Sequence, residues 1–279
     1  MIEIKRSLSP ADFLADVGGT LAVSEAENCL LLGFAMDLET YPPATDASFR
    51  FWTARFENQW VGAFFSDPPF PSVVMKAPVQ VIEEWLDSVD AEGHPLSGVS
   101  AVPKTAEAVA RDWCHRKGMR FRLTLDLSLY RMEGIPSGKA APGNVRKAEQ
   151  GDLELLADWT GAFNVETGVE KAMESRSLLE GYLKRGRLFV WDDGGPVCMA
   201  GFSGPTSTGI RLNLVYTPPE KRGHGYAQAL TSAAVRDLSA LGHRNCFLFA
   251  DKGNPASNAV YKRVGFKPVT DWWVLKFMP

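Results

Sequence analysis

Apolar residues recur along the second half of the chain with two distinct periods. Leu155, Leu156, Trp159 and Phe163 fall on one face of a helix starting near Asp152. Tyr226, Leu230, Ala233, Ala234, Leu238 and Leu241 do the same further on, with Arg236 and Asp237 outside the stripe and Gly242 as a stop. Around these lie runs of strand character: Asn144 to Ala148, Arg187 to Trp191, Val197 to Ser203, Ile210 to Tyr216, Asn245 to Ala250 and Asp271 to Phe277, with a short helix near Ala256 to Val264. Strand, crossover helix, parallel strand and further helix make an α/β plan with a mixed central sheet, in which ligands lie where neighbouring strands diverge.

The first half repeats this order more faintly. Helices are predicted at Pro10 to Asp16, Glu25 to Asp37, Val79 to Val89 and Thr105 to Lys117. Strands are predicted as a pair within Phe49 to Phe65 and singly at Val73 to Lys76, Ser97 to Val102 and Phe121 to Tyr130. The Gly- and Pro-dense stretch Met132 to Gly143 reads as a linker, giving two domains, 1–134 and 144–279. Trp52, Trp60, Phe64, Phe65, Phe70 and Trp85 read most simply as packing in the first half, with an acceptor pocket as the alternative. In the alternating last strand one ring of Trp272 and Trp273 should face the core and the other a cleft.

Composition narrows the functional classes. The 279 residues suffice for two cores. A net charge of −3 without a dense basic block speaks against nucleic acid and anionic membrane as partners. Cys29, Cys114, Cys198 and Cys246 are far apart and lack zinc spacing, so they read as reduced, mostly buried thiols, and no metal is expected. With no signal segment and no apolar run long enough to span a bilayer, a cytoplasmic protein is expected.

Chemistry concentrates in Val215-Tyr216-Thr217-Pro218-Pro219-Glu220-Lys221-Arg222-Gly223-His224-Gly225-Tyr226-Ala227, a strand running through a small-residue turn into a helix. Glycines let the backbone turn sharply, so free amides of the turn and of the first helical turn can converge on one anion, with Arg222 adding charge at the rim. The spacing Arg222-x-x-Gly225-x-Ala227 resembles the pyrophosphate-binding signature of the GNAT superfamily of acyl-CoA N-acyltransferases. Asn254-Pro255-Ala256-Ser257-Asn258-Ala259-Val260-Tyr261-Lys262-Arg263-Val264-Gly265-Phe266, about thirty residues on, resembles the superfamily's Asn-x-x-Ser/Ala-x-x-x-Tyr-x-x-x-Gly-Phe segment. The first half has no such turn between Val73 and the helix after Pro78, and is read as a degenerate GNAT-like copy in a tandem arrangement whose C-terminal domain is intact.

The resemblance implies an acetyl-CoA-dependent N-acetyltransferase that moves an acetyl group to a primary amine by direct attack, acetyl-CoA being the co-substrate. It implies a coenzyme site made of Val215, Thr217, Arg222, Gly223, His224, Gly225, Tyr226, Ala227 and Asn254, with Val215 and Thr217 acting through the main chain. Tyr261 is implied as the acid that protonates the departing thiolate, although packing of its ring is the alternative reading. For Arg222 the alternative to a coenzyme phosphate is Glu220 on the surface, for Asn254 the alternative to the pantetheine is capping its helix, and His224 reads as an exposed loop position rather than a base. Glu166, Glu170 and Glu174 are candidate general bases or solvated helix charges. Asn213 occupies the strand position where some relatives carry an acidic base, and its amide leaves a water relay as the default.

Competing readings are a non-catalytic acyl-CoA-binding module and an acyltransferase using a longer acyl-CoA. A Rossmann site is weaker, since Gly223-x-Gly225 lacks the third glycine. The acceptor is a small-molecule or protein amine, and the protein a monomer or homodimer.

Overall fold

The structure, a computed structural model, describes residues 1–43, 48–138, 140–168 and 175–279. It divides into two units: Met1–Leu129 with Gly204–Ser207 and Val269–Pro279, and Tyr130–Ser203 with Thr208–Pro268.

The first unit runs β1 (Glu3–Arg6), α1 (Pro10–Val23), α2 (Cys29–Thr40), β2 (Arg50–Phe56), β3 (Gln59–Ser66), β4 (Ser72–Val74), α3 (Val79–Ala91), β5 (Gly98–Ala101), α4 (Pro103–Lys117) and most of β6 (Arg120–Glu133). Local chemistry sets several boundaries. Ser9 caps α1 by accepting from the Asp12 amide, with Pro10 at the first position. Glu57 and Asn58 both adopt positive φ, 45° and 67°, in the two-residue turn of the β2–β3 hairpin. Trp52, Phe64 and Trp85 are fully buried, with Phe64 stacked on Trp85 at 4.4 Å. Phe65 is buried as well, Trp60 partly, and Phe70 remains 40% exposed. The short β1 carries a single apolar residue within Glu3-Ile4-Lys5-Arg6, too little for a pattern, and is held by antiparallel pairing to β2.

The second unit runs β7 (Asn144–Lys147), α5 (Leu153–Thr167), α6 (Ser175–Lys184), β8 (Leu188–Asp192), β9 (Pro196–Ser203), β10 (Gly209–Tyr216), α7 (Tyr226–Ala240), β11 (Asn245–Asp251) and α8 (Pro255–Val264). Its strands lie in the order β11-β10-β9-β8-β7. One core packs α7 and α8 on the sheet through Leu230, Ala234, Leu238, Leu212 and Phe202, and a second packs α5 and α6 through Leu156, Trp159, Leu179 and Leu214. Two residues of the expected stripes fall outside: Leu155 is 40% and Leu241 70% exposed. Leu241 follows the last residue of α7, so the helical period no longer directs its side chain.

The last strand, β12 (Lys267–Met278), belongs from Val269 onward to the first unit. Trp273 to Lys276 pair antiparallel with Ala101 to Gly98, so the order there is β1-β2-β3-β4-β5-β12-β6. Both tryptophans of the pair anchor it. Trp272, 2% exposed, donates from Nε1 to Ser100 Oγ at 2.8 Å, and Trp273, partly buried, donates to Asp126 Oδ1 at 3.2 Å.

Candidate functional site: a splayed strand and an amide cradle

Strands β10 and β11 are parallel and pair only from Gly209↔Asn245 to Arg211↔Phe247, although both run on. On the other side, the register with β9 shifts between Asn213↔Gly201 and Tyr216↔Met199. Leu214 sits there at φ 49°, a left-handed conformation that costs a branched side chain on the order of 1 kcal/mol. The bulge puts consecutive side chains on one side: Asn213 bonds Tyr182 of α6, while Leu214 joins the core under α5 and α6. Beyond Arg211 the main chain of β10 therefore runs beside β11 without a ladder bond to it, which leaves peptide groups around Val215 available to a ligand.

The chain leaves β10 through Thr217 into a single turn, Pro219–Lys221, where the Lys221 and Arg222 amides close on the carbonyls of Pro218 and Pro219. The pattern then changes. Gly223 and Gly225 take φ 85° and 84°, with no atom within 4 Å of where a Cβ would stand. Among the described residues no acceptor receives the amides of residues 223 to 228, and the first intrahelical bond shown is Ala229 N to Gly225 O at 3.0 Å. Helix α7 also lacks a side-chain cap and has no acidic residue in its first turn. Consecutive unpaired amides at the positive end of a helix dipole form an anion nest, and two open glycine positions give a pyrophosphate room to approach.

Around this nest the predicted residues have settled partners. The His224 ring stacks on Tyr226 at 5.4 Å and meets the Lys221 carbonyl through Nδ1 at 3.2 Å. Tyr226 is buried, with its hydroxyl donating to Asp193 Oδ2 at 2.6 Å, which raises the pKa of the phenol. Ala227 packs against the α7 core. Arg222 donates from Nε to the Thr217 carbonyl at 2.9 Å, and its terminal nitrogen reaches both oxygens of Glu166, at 2.9 and 2.7 Å. The partner of Arg222 is thus Glu166 of α5 rather than Glu220, and Tyr216 adds a third bond to the same carboxylate at 3.1 Å. Glu170 and Glu174 lie outside the described residues.

On α8, Tyr261 is 9% exposed in the core that also holds Cys198 and Cys246. Burial, with both sulfurs nearby, raises its pKa, so the phenol stays protonated at neutral pH. No hydrogen bond joins its hydroxyl to another described residue. Asn254 caps α8 by accepting from the Ser257 amide at 3.0 Å. Asn213 donates to Tyr182 Oη at 2.8 Å and Ser203 Oγ at 2.7 Å, leaving its own oxygen buried without a partner.

Between β4 and α3 the first unit forms no such nest among the described residues. Its turn between β4 and α3, Met75-Lys76-Ala77-Pro78, contains no glycine, and the Val81 and Ile82 amides already bond the Pro78 carbonyl.

Within the second unit, then, a parallel strand pair splays beside a bulged strand, and a run of amides stands open at the start of the following helix. Residues 153–266 match the model of the "Acetyltransferase (GNAT) family". Over nearly its full length the chain shares its fold with several solved structures. It is similar to a Drosophila protein (TM-score 0.70, 14% identity, covering 99% of this chain and 98% of that one). It is similar also to a tandem GNAT protein from the clavulanic acid biosynthesis pathway (0.56, 16%, 99% and 98%) and to an acetyltransferase from the GNAT family of Colwellia psychrerythraea (0.54, 14%, 99% and 99%). No curated protein matches the sequence significantly. Among the described residues no helix is long and apolar enough to cross a membrane.

Proposed function

We propose that the protein is an acetyl-CoA-dependent N-acetyltransferase that acetylates a primary amine of a small molecule or protein, acting in the cytoplasm as a monomer or homodimer. The observation that carries the reading is the run of amides at residues 223 to 228 that have no acceptor among the described residues, beside two glycines with open space around them. When bound, acetyl-CoA supplies the thioester whose carbonyl carbon takes the amine nitrogen as its sulfur departs as a thiolate.

The nest amides hold the pyrophosphate, with Arg222 toward a phosphate and the Val215 and Thr217 main chain toward the pantetheine arm. Tyr261 donates its phenolic proton to the departing sulfur. A buried phenol with a raised pKa is a donor that is never ionised at working pH. No carboxylate stands at Asn213, so a water relay takes the proton of the attacking amine.

Release of free thiol, followed across a panel of amines, tests this reading. Turnover with at least one amine, lost in Tyr261→Phe, is expected; acetyl-CoA bound without transfer to any amine contradicts it. That second outcome is the binding-module alternative, which the amide at Asn213 and the commitment of Glu166 to Arg222 favour.

A further inference from the structure

The Arg222 guanidinium is oriented by the cradle itself, because Nε is held by the Thr217 carbonyl at 2.9 Å. Its terminal NH2 group is spent on a carboxylate: both Glu166 oxygens lie at 2.7 to 2.9 Å, and Tyr216 holds the same carboxylate at 3.1 Å. The guanidinium also lies over the Tyr216 ring, 5.7 Å from its centroid. A carboxylate so placed mimics one phosphate oxygen pair, fills the donor and cancels the charge that an incoming polyanion needs. Glu166 stands one residue before the end of α5, whose last residue, Thr167, precedes Gly168 at φ 67°.

We infer that Glu166 is an internal competitor for the coenzyme's phosphate: a latch that lowers affinity and couples binding at the nest to release of the last turn of α5. This rests on the coenzyme reading above. Arg222 exchanges Glu166 for phosphate, and the carboxylate with its turn becomes free to move. Both side chains of the pair are nearly half exposed, 47% and 42%, so the contact itself is weak enough to be displaced.

The test is calorimetric titration of acetyl-CoA into the wild type, Glu166→Gln, Arg222→Gln and the double variant. Removing the competitor and its repulsion of the ligand should tighten binding roughly three- to tenfold in Glu166→Gln. In the Arg222→Gln background the same substitution should have a clearly smaller effect, because the competition needs the cation and only the repulsion remains. Thermal melting of Glu166→Gln within a few degrees of the wild type separates this from a folding effect. Hydrogen exchange at the last turn of α5 should speed up when acetyl-CoA binds. Equal or weaker binding by Glu166→Gln, with the wild type binding well, overturns the latch and leaves the coenzyme site standing. Absence of binding in all four proteins overturns both.

Discussion

The Thr217 hydroxyl donates to the Cys198 sulfur at 3.1 Å, so the residue that leads the splayed strand into the amide nest is tied to the same core that holds Tyr261. Full burial pushes the Cys198 thiol up to about 12, with the Thr217 bond opposing only in part. A thiol so protonated is a poor nucleophile. In native protein at pH 8, Ellman's reagent should leave Cys198 unmodified, whereas in denaturant all four cysteines should react. A Cys198 adduct in the folded protein would contradict this.

Tyr261→Phe separates chemistry from packing. The hydroxyl has no hydrogen-bond partner among the described residues, so its loss should change stability by less than about 1 kcal/mol. If the hydroxyl is the acid, kcat should fall roughly a hundredfold or more while KM for acetyl-CoA stays near its original value. Unchanged kcat would return Tyr261 to a packing role.

Gly225→Ala probes the nest backbone without blocking it. No atom stands within 4 Å of the new Cβ, but φ is 84°, so the cost is conformational, about 1 to 2 kcal/mol. A drop in melting temperature of that size, with weakened acetyl-CoA binding, is expected. A variant as stable as the wild type would mean the turn has another conformation available.

Acid stability has a separate source in the first unit. His94 is 4% exposed, meets Ser66 Oγ through Nε2 at 3.0 Å, and faces Arg50, Arg6 and Glu92. Burial first, then Arg50, lower its pKa from 6.5 to about 4, with Glu92 opposing. The unfolded chain thus takes up a proton that the folded one refuses. Stability is fully present above about pH 6.5 and declines as pH falls toward 4, by on the order of 3 kcal/mol at most. Urea unfolding at pH 7, 5.5 and 4.5 should show a shallower decline for His94→Gln than for the wild type. Parallel declines would assign the acid sensitivity to other groups.

The nest was legible because its information is local: Gly223, Gly225 and the stripe that begins at Tyr226 all lie within one turn and one helix. Period likewise located α4, α7 and α8, and in the structure Pro103 and Gly118 bound the first of these and Asn254 and Gly265 the last. What the sequence hid is long-range. Glu166 is 56 residues from Arg222, and Tyr182 is 31 from Asn213, and no spacing rule links such partners. The strand character of β12 was readable, but its place in the first unit's sheet, beside β5, is a pairing choice with no local signature. Leu214 at positive φ was unreadable as well, since nothing about a leucine announces a bulge.

The most direct measurement is amide hydrogen exchange at residues 223 to 228 with and without acetyl-CoA. These amides lack acceptors among the described residues, so they should exchange fast alone and slow by at least about tenfold when the pyrophosphate takes them. Saturating acetyl-CoA that leaves their exchange unchanged would contradict the account, because the anion would then have to sit somewhere other than this nest.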